Sequence, residues 1–498
     1  MRTLLPLLFL FTLPVSAETL RMHLSTPVVT LDWTGALTMS NAAMVVNLQE
    51  GLFTVDPSSA KPILALAESV TKSKDLKTYT FRIRKDAKWS DGRAVFAKDF
   101  VEAWQRVLSP QSSSIYYHYF YDIVNAREYH EKKLAQFDEV GIHEADPLTL
   151  VITLSNPQKQ WEIKTGFWPF FPVRKDLIGK FGNNWWQPGT LVSTGPFVYD
   201  SATGGKQAIL KRNPHHAPDG NVDRVEIDFT TDRELILDRY RKNTYPFIHE
   251  VNEEKHFKDR EFKEIPLLRH HALVFNAGKF PLSNRKFRKA ILASVDTKKL
   301  LVDSGLKMKP ATSLVPESLL KQTEPTAFPF QPEQAKTFLE TSGIVVNPTM
   351  KVELITSMSE SSKKMGEGIA SQIGKNLKLP VSSVALNTKE FETYGNLGDY
   401  SMILLTWTAK VPEARDFLLP YSKAFLKNNK TRTTINGFDD AVIANNIGYA
   451  LELVSKEEAV VQPLFFERMG YLSKPRISGL AFDHMGLPHL RKVRLKAK

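Results

Sequence analysis

"YTFRIRKDAKWSDGRAVFAKDFVEAWQRVLSP", residues 79–110, changes its apolar period halfway along. Tyr79, Phe81 and Ile83 alternate with polar neighbours, as in a strand with one buried face. Asp91-Gly92 is a turn signal. Asp99 stands where an N-cap would, and Phe100, Ala103, Trp104, Val107 and Leu108 follow at helical spacing until Ser109-Pro110 stops the run. The same switching recurs outward. Residues 19–25 place Leu20, Met22 and Leu24 on one face, and Leu148, Leu150, Ile152 and Leu154 alternate likewise. Farther on, 351–356 reads as strand, 361–377 as helix and 381–387 as strand, which makes a βαβ unit. Residues 400–408 supply the next strand of that region, so the chain is α/β throughout. Candidate joints fall near Asp56-Pro57, at 155–160 and at 187–197.

Composition narrows the function. Arg2, the apolar run Leu4 to Leu13 and the small residues Val15-Ser16-Ala17 have the layout of a secretory signal peptide. Cleavage is expected after Ala17, giving an exported chain that starts at Glu18. No stretch is long and apolar enough to span a bilayer. The chain has no cysteine, which excludes disulfides, thiolate metal sites and cysteine nucleophiles. Sixty-six Lys and Arg against 54 Asp and Glu give a net charge of +12. The cations are scattered, so they read as a mixed solvated surface and no nucleic-acid partner is expected.

Signatures of catalysis are missing: no GxSxG, HExxH, phosphate loop or GxGxxG occurs. His215-His216 and His270-His271 are adjacent pairs without a carboxylate cluster at ligand spacing, and they read as surface histidines. Asp439-Asp440 and Glu253-Glu254 are neighbours in sequence, which does not oppose them across a cleft. The aromatic run at 112–122, with Tyr116 and Tyr119, and the runs at 166–172 and 183–188 read first as core. They also suit a cleft that holds an amphipathic ligand.

The stretch "LLTWTAKVPEARDF", 404–417, ends an apolar strand in Lys410. The plain reading has the strand surface there, put Lys410 in water and turn at Pro412.

In order, the segments "EGLFTVD" (50–56), the 79–110 block, "KFGNNWWQPGTLVSTGPFVYD" (180–200), "LKRNPHH" (210–216), "LVFNAGKFPLSNRKFRKAILASVD" (273–296) and "YSMILLTW" (400–407) resemble the family 5 extracellular solute-binding proteins. That is the peptide/nickel group of ABC-transporter receptors, and within it the likeness is to oligopeptide binders. The resemblance implies an α/β, two-lobed periplasmic-binding-protein fold (type II, cluster C-like) with an extra inserted domain and a hinge between lobes. The expected division is domain I at 18–55, 185–255 and 470–498, domain II at 56–184 and domain III at 256–469. It further implies a periplasmic monomer without cofactor or metal that takes a peptide or peptide-like solute to an ABC permease. Thr406, Trp407 and Thr408 inherit the role of gripping the ligand's backbone.

One departure stands out. In the oligopeptide binders an aspartate three residues after this tryptophan anchors the ligand's α-ammonium, and here that position is Lys410. A unit pair about 4 Å apart is worth roughly 4 kcal/mol at an effective dielectric near 20. Three readings stand open: Glu413 supplies the carboxylate instead, the ligand lacks a free amine or carries an anion, or binding has been lost. Two functions of other classes also remain, a secreted hydrolase of an oligomer and a ligand sensor on the same scaffold.

Overall fold

The computed structural model describes residues 18–496 apart from 36, 58, 60, 218, 252–260, 307, 321–323 and 427. The leader at 1–17, the Glu253-Glu254 pair and the expected boundary at 255/256 lie outside the described residues. Tyr79, Phe81 and Ile83 sit on the strand Thr78–Ile83, fully buried. That strand lies between Ala67–Lys72 and Thr149–Thr153 in a four-stranded antiparallel sheet completed by Ile142–Asp146. Gly92 turns the chain at φ +89°, where a side chain would be strained.

The helix Ala97–Leu108 follows, but Phe96 holds the N-cap position. Asp99 is the third helical residue, not the cap. Its carboxylate reaches back to the Phe96 N–H at 3.0 Å, and also accepts from Trp89 Nε1 and Arg93 Nη2. One acid thus satisfies an orphan donor of the first turn and fixes the preceding loop. Trp104, fully buried, donates to the Phe170 carbonyl at 2.9 Å and meets Phe120, Trp161 and Phe170 edge-on.

A second sheet carries the chain's beginning. Glu18–Leu24 pairs in parallel with Val222–Phe229, which continues into Gln207–Arg212 and Phe197–Thr203. The chain's end packs on the same body. The Asn47 side chain donates to the Pro488 carbonyl at 2.7 Å and accepts the Leu490 N–H at 2.8 Å.

Two long strands, Phe262–Phe275 and Val461–Ser473, lie side by side in a six-stranded sheet. They pair antiparallel from Phe262↔Leu472 to Val274↔Val461, with the ladder shifting between Pro266 and His270. Proline has no N–H to give there. At one end Phe247–His249 adds to the second strand. At the other, Met402–Thr408, Val352–Ser357 and Val381–Leu386 extend the first. The βαβ unit is present: Val352–Ser357 and Val381–Leu386 run parallel, linked by the helix Glu360–Leu377 with Ser359 as its cap. Its core of Leu354, Ile369, Ile373 and Met402 merges with Leu273 and Phe275.

Three of the four paired histidines are not on the surface. His270 is fully buried and lies between the Leu314 carbonyl and the Tyr421 hydroxyl. His271 stacks on Phe465, and the His216 side chain is buried against Glu50. Each finds a partner for its ring nitrogens, which is what lets an imidazole enter a core. His215 is exposed.

Candidate functional site

The strand Met402–Thr408 has unequal edges. One edge pairs with Phe262–Phe275 along its length, in the register His271↔Thr406, His270↔Trp407 and Arg269↔Thr408. On the other, among the described residues only Met402 and Ile403 have strand partners, Leu354 and Ile355. The Ala409 N–H donates to the Leu268 carbonyl at 2.8 Å. Antiparallel ladders alternate, so 405, 407 and 409 bond inward while the peptide groups of Thr406 and Thr408 face the open edge. Side chains alternate as well. Thr406 Oγ1 meets His271 Nδ1 at 3.1 Å and Thr408 Oγ1 accepts from Arg269 Nε at 2.9 Å. Both cross-strand partners converge on Glu467, at 3.0 and 2.9 Å. Burial alone would raise Glu467, but His271 and Arg269 hold its carboxyl below the usual value.

Trp407 lies on the opposite face, and its indole N–H is shared between the carbonyl and Oδ1 of Asp416, at 3.0 and 3.1 Å. Oδ2 of the same aspartate accepts the N–H groups of Lys410 and Val411 and the hydroxyl of Tyr119. Four donors on one buried carboxylate close the loop after the strand. Burial pushes the Asp416 carboxyl up to about 6, helped by the nearby Glu413 charge and opposed by the Val411 N–H and by the Trp407 and Tyr119 donors. Burial and this carboxylate drive the Tyr119 phenol well above its ordinary range.

Beside it lies a buried ion network. Arg415 forks onto Asp122, with Nη1–Oδ1 at 2.8 Å and Nη2–Oδ2 at 2.6 Å. Lys164 binds the same carboxylate, and Glu413 stands 3.7 Å from Lys164 and 3.5 Å from Arg415. The Arg415 and Lys164 side chains are only 4% and 2% exposed. Despite burial, these two cations hold the Asp122 carboxyl far below its ordinary value. Asp122, Lys164 and Tyr119 come from the segment carrying the four-stranded sheet, whereas Glu413, Arg415 and Asp416 follow the Trp407 strand. The contacts therefore tie the segment of the four-stranded sheet to the loop after the Trp407 strand.

A cavity of about 870 Å³ opens next to this junction. Asn47, Glu50, Phe167, Trp168 and residues 478–481 and 483–485 contribute to its wall, and Lys410 and Pro412 reach it from the loop after the Trp407 strand. Of the carboxylates in its wall, Glu50 pairs with His216 and Arg491, Asp219 with Arg491 and Asp483 with His489, while Asp56 accepts the Ser59 N–H and hydroxyl at 2.9 Å. Lys410 does not extend into open water as its place at a strand end suggested. It is partly buried, lines the cavity, and among the described residues its Nζ has no carboxylate within 4 Å.

Of the seven residues named from sequence, Lys410 alone lines the cavity. Thr406, Trp407 and Thr408 form the half-open strand leading to it. Glu413 is committed to Lys164 and Arg415. Tyr116 stands one layer behind, edge-on to Phe167 and Trp168, which do line the cavity. Sequence reasoning missed Asp416, Asp122, Lys164 and Arg415. The one available signal was "EARD", charges spaced at 413, 415 and 416 within an otherwise apolar stretch.

The family model of bacterial extracellular solute-binding proteins, family 5, matches residues 61–429. The periplasmic murein peptide-binding protein MppA of Escherichia coli is 27% identical over 93% of this chain and 90% of its own length. The probable deoxycholate-binding periplasmic protein YgiS of the same organism is 26% identical over 88% and 86%. The structure of Haemophilus influenzae OppA in complex with RPPGFSPFR superposes with a TM-score of 0.81 at 22% identity, over 96% of this chain and 99% of that one. At that identity the superposition establishes the two-lobed fold.

Proposed function

This chain belongs to the bacterial extracellular solute-binding proteins of family 5, and from that premise we propose that it is the binding component of an ABC importer for a peptide or peptide-like solute. The observation that carries the reading is the open edge at Thr406 and Thr408. An extended ligand adds there as a further strand and bonds their peptide groups without reading side chains. Trp407 and Asp416 hold that edge rigid, while Tyr119 and Glu413 act at the closing seam. In relatives the names specify a murein peptide in one case and deoxycholate in another, so cargo in the family varies more than the scaffold does.

In this reading segments 18–55, 185–255 and 470–498 form domain I, 56–184 the inserted domain II and 256–469 domain III. The leader is removed after Ala17, the protein works as a periplasmic monomer, and an inner-membrane permease receives the cargo. No helix among the described residues is long and apolar enough to cross a membrane. No catalytic step is assigned to the site. The test is mass spectrometry of small molecules released on denaturing protein gently purified from the periplasm, paired with peptide uptake in a strain lacking the gene. Released peptides and a lost uptake activity support the proposal. An empty protein that binds no added peptide, in a strain with normal uptake, rules it out.

A further inference from the structure

The cavity's ionic balance is uneven. Of the four carboxylates among the described residues of its wall, Glu50, Asp219 and Asp483 each have a cation or imidazole at 2.5–3.2 Å, and Asp56 is held by the Ser59 N–H and hydroxyl at 2.9 Å. Lys410 reaches the same cavity from the loop after the Trp407 strand with an ammonium that has no carboxylate within 4 Å among the described residues. Its own backbone is already fixed on both sides. The N–H donates to Asp416 Oδ2 at 3.1 Å and the carbonyl accepts from His484 Nε2 at 3.2 Å. The loop therefore cannot swing the side chain away without breaking both.

Three neighbours that could compensate it are otherwise engaged. Glu413 faces Lys164 and Arg415, Asp416 already accepts four donors, and Asp483 is held by His489 and by the N–H groups of Met485 and Leu487. Arg269 adds a second positive charge nearby, itself paired with Glu467. His484, also in the cavity wall, keeps Nδ1 buried without a hydrogen-bond partner among the described residues. Burial lowers the Lys410 pKa, with Asp416 and Asp483 pulling upward and Arg269 downward, so an added anion would relieve an existing cost. A buried ammonium is stable when paired and hydrogen-bonded. The site is a cationic end wall waiting for a charge of opposite sign.

We propose that Lys410 selects a peptide-like solute whose end in this cavity carries a carboxylate in place of a free α-ammonium. The proposal rests on the peptide-binding reading and specifies the ligand for it. A carboxylate there makes a charge-assisted hydrogen bond with Nζ, whereas an ammonium meets it with like charge.

Three matched tripeptides test this by calorimetry on the mature protein: Ala-Ala-Ala, its N-acetyl derivative and its N-succinyl derivative. Wild type is expected to bind the succinyl form about tenfold or more tighter than the free-amine form, the gain of one charge-assisted bond, with the acetyl form between them. Lys410→Met should flatten the series, Lys410→Asp should reverse it, and Lys410→Arg should keep it. Circular dichroism checks that each variant is folded, and the arginine variant carries the charge test should methionine or aspartate misfold. Wild type binding Ala-Ala-Ala as tightly as the succinyl form overturns the role of Lys410 but leaves peptide binding intact. Binding of none of the three at millimolar concentration overturns both.

Discussion

Replacing Asp122 with alanine tests whether the network between the lobes is a latch or a part of the fold. Asp122 accepts two bonds from Arg415 and one from Lys164, and all three side chains are at most 9% exposed. Without it, two buried cations share Glu413 alone, at 3.5 and 3.7 Å. Removing one partner from such a group costs about 3–5 kcal/mol. The location of the cost matters more than its size. Arg415 meets Asp122 across the seam, so opening the lobes returns the stranded guanidinium to water and relieves the penalty. The closed state alone bears it. Ligand affinity, which scales with the fraction of closure-competent protein, should therefore weaken by roughly two to four decades. The melting temperature of ligand-free protein should hardly move. Calorimetry of a bound peptide and thermal unfolding of the free protein read the two effects separately. An unchanged Kd with a lowered melting point would refute the reasoning and place the network inside the fold.

Other expectations follow from the same contacts. Tyr119→Phe removes one donor from buried Asp416 across the seam, about 1–2 kcal/mol, and should weaken ligand binding by about tenfold; a ligand affinity equal to wild type counts against the contact. Gly51→Ala would put a Cβ 1.9 Å from the Thr165 carbonyl oxygen and 2.9 Å from Phe171; overpacking of this kind costs about 1–3 kcal/mol or more, and a denaturation midpoint equal to wild type would contradict the packing. Acid should destabilise the protein. His118 and His270, lowered by burial to about 3 and about 4, stay neutral when folded but protonate near 6.5 when unfolded. Stability is therefore lost as pH falls below 6.5, by about 2 kcal/mol for each at pH 5. Asp416, raised to about 6, works the other way, since its folded form takes up a proton first, but offsets only about 1.4 kcal/mol over that range. Melting points between pH 7 and pH 5 should fall, and fall less in His118→Phe, which removes one of these imidazoles.

Local patterning carried most of the fold. Tyr79, Phe81 and Ile83 face inward as their alternation requires, and the βαβ unit at 352–386 needed only the change of period to be seen. Asp99 was misplaced by one role because an acid at the third helical position and an acid at the cap serve the same orphan N–H groups. The histidine pairs were misjudged because burial depends on partners such as Tyr421 and Glu467, 151 and 196 residues away. The same separation hid the seam. Asp122 and Arg415 are 293 positions apart, and nothing in the spacing of either segment pairs them. Lys410 was visible as an anomaly, but whether it met water or a cavity depended on residues 478–485 folding back from the end of the chain.

That return of the chain's end has a consequence for order of assembly. The strand Glu18–Leu24 waits for Val222–Phe229, and the Asn47 side chain waits for Pro488 and Leu490. A chain threaded N-terminus first through a translocation pore cannot complete its first lobe until its last residues emerge. The four-stranded sheet, whose strands all lie between Ala67 and Thr153, has no such wait and can form early. The first residues to arrive are thus among the last to be sealed, and it is the tail that seals them.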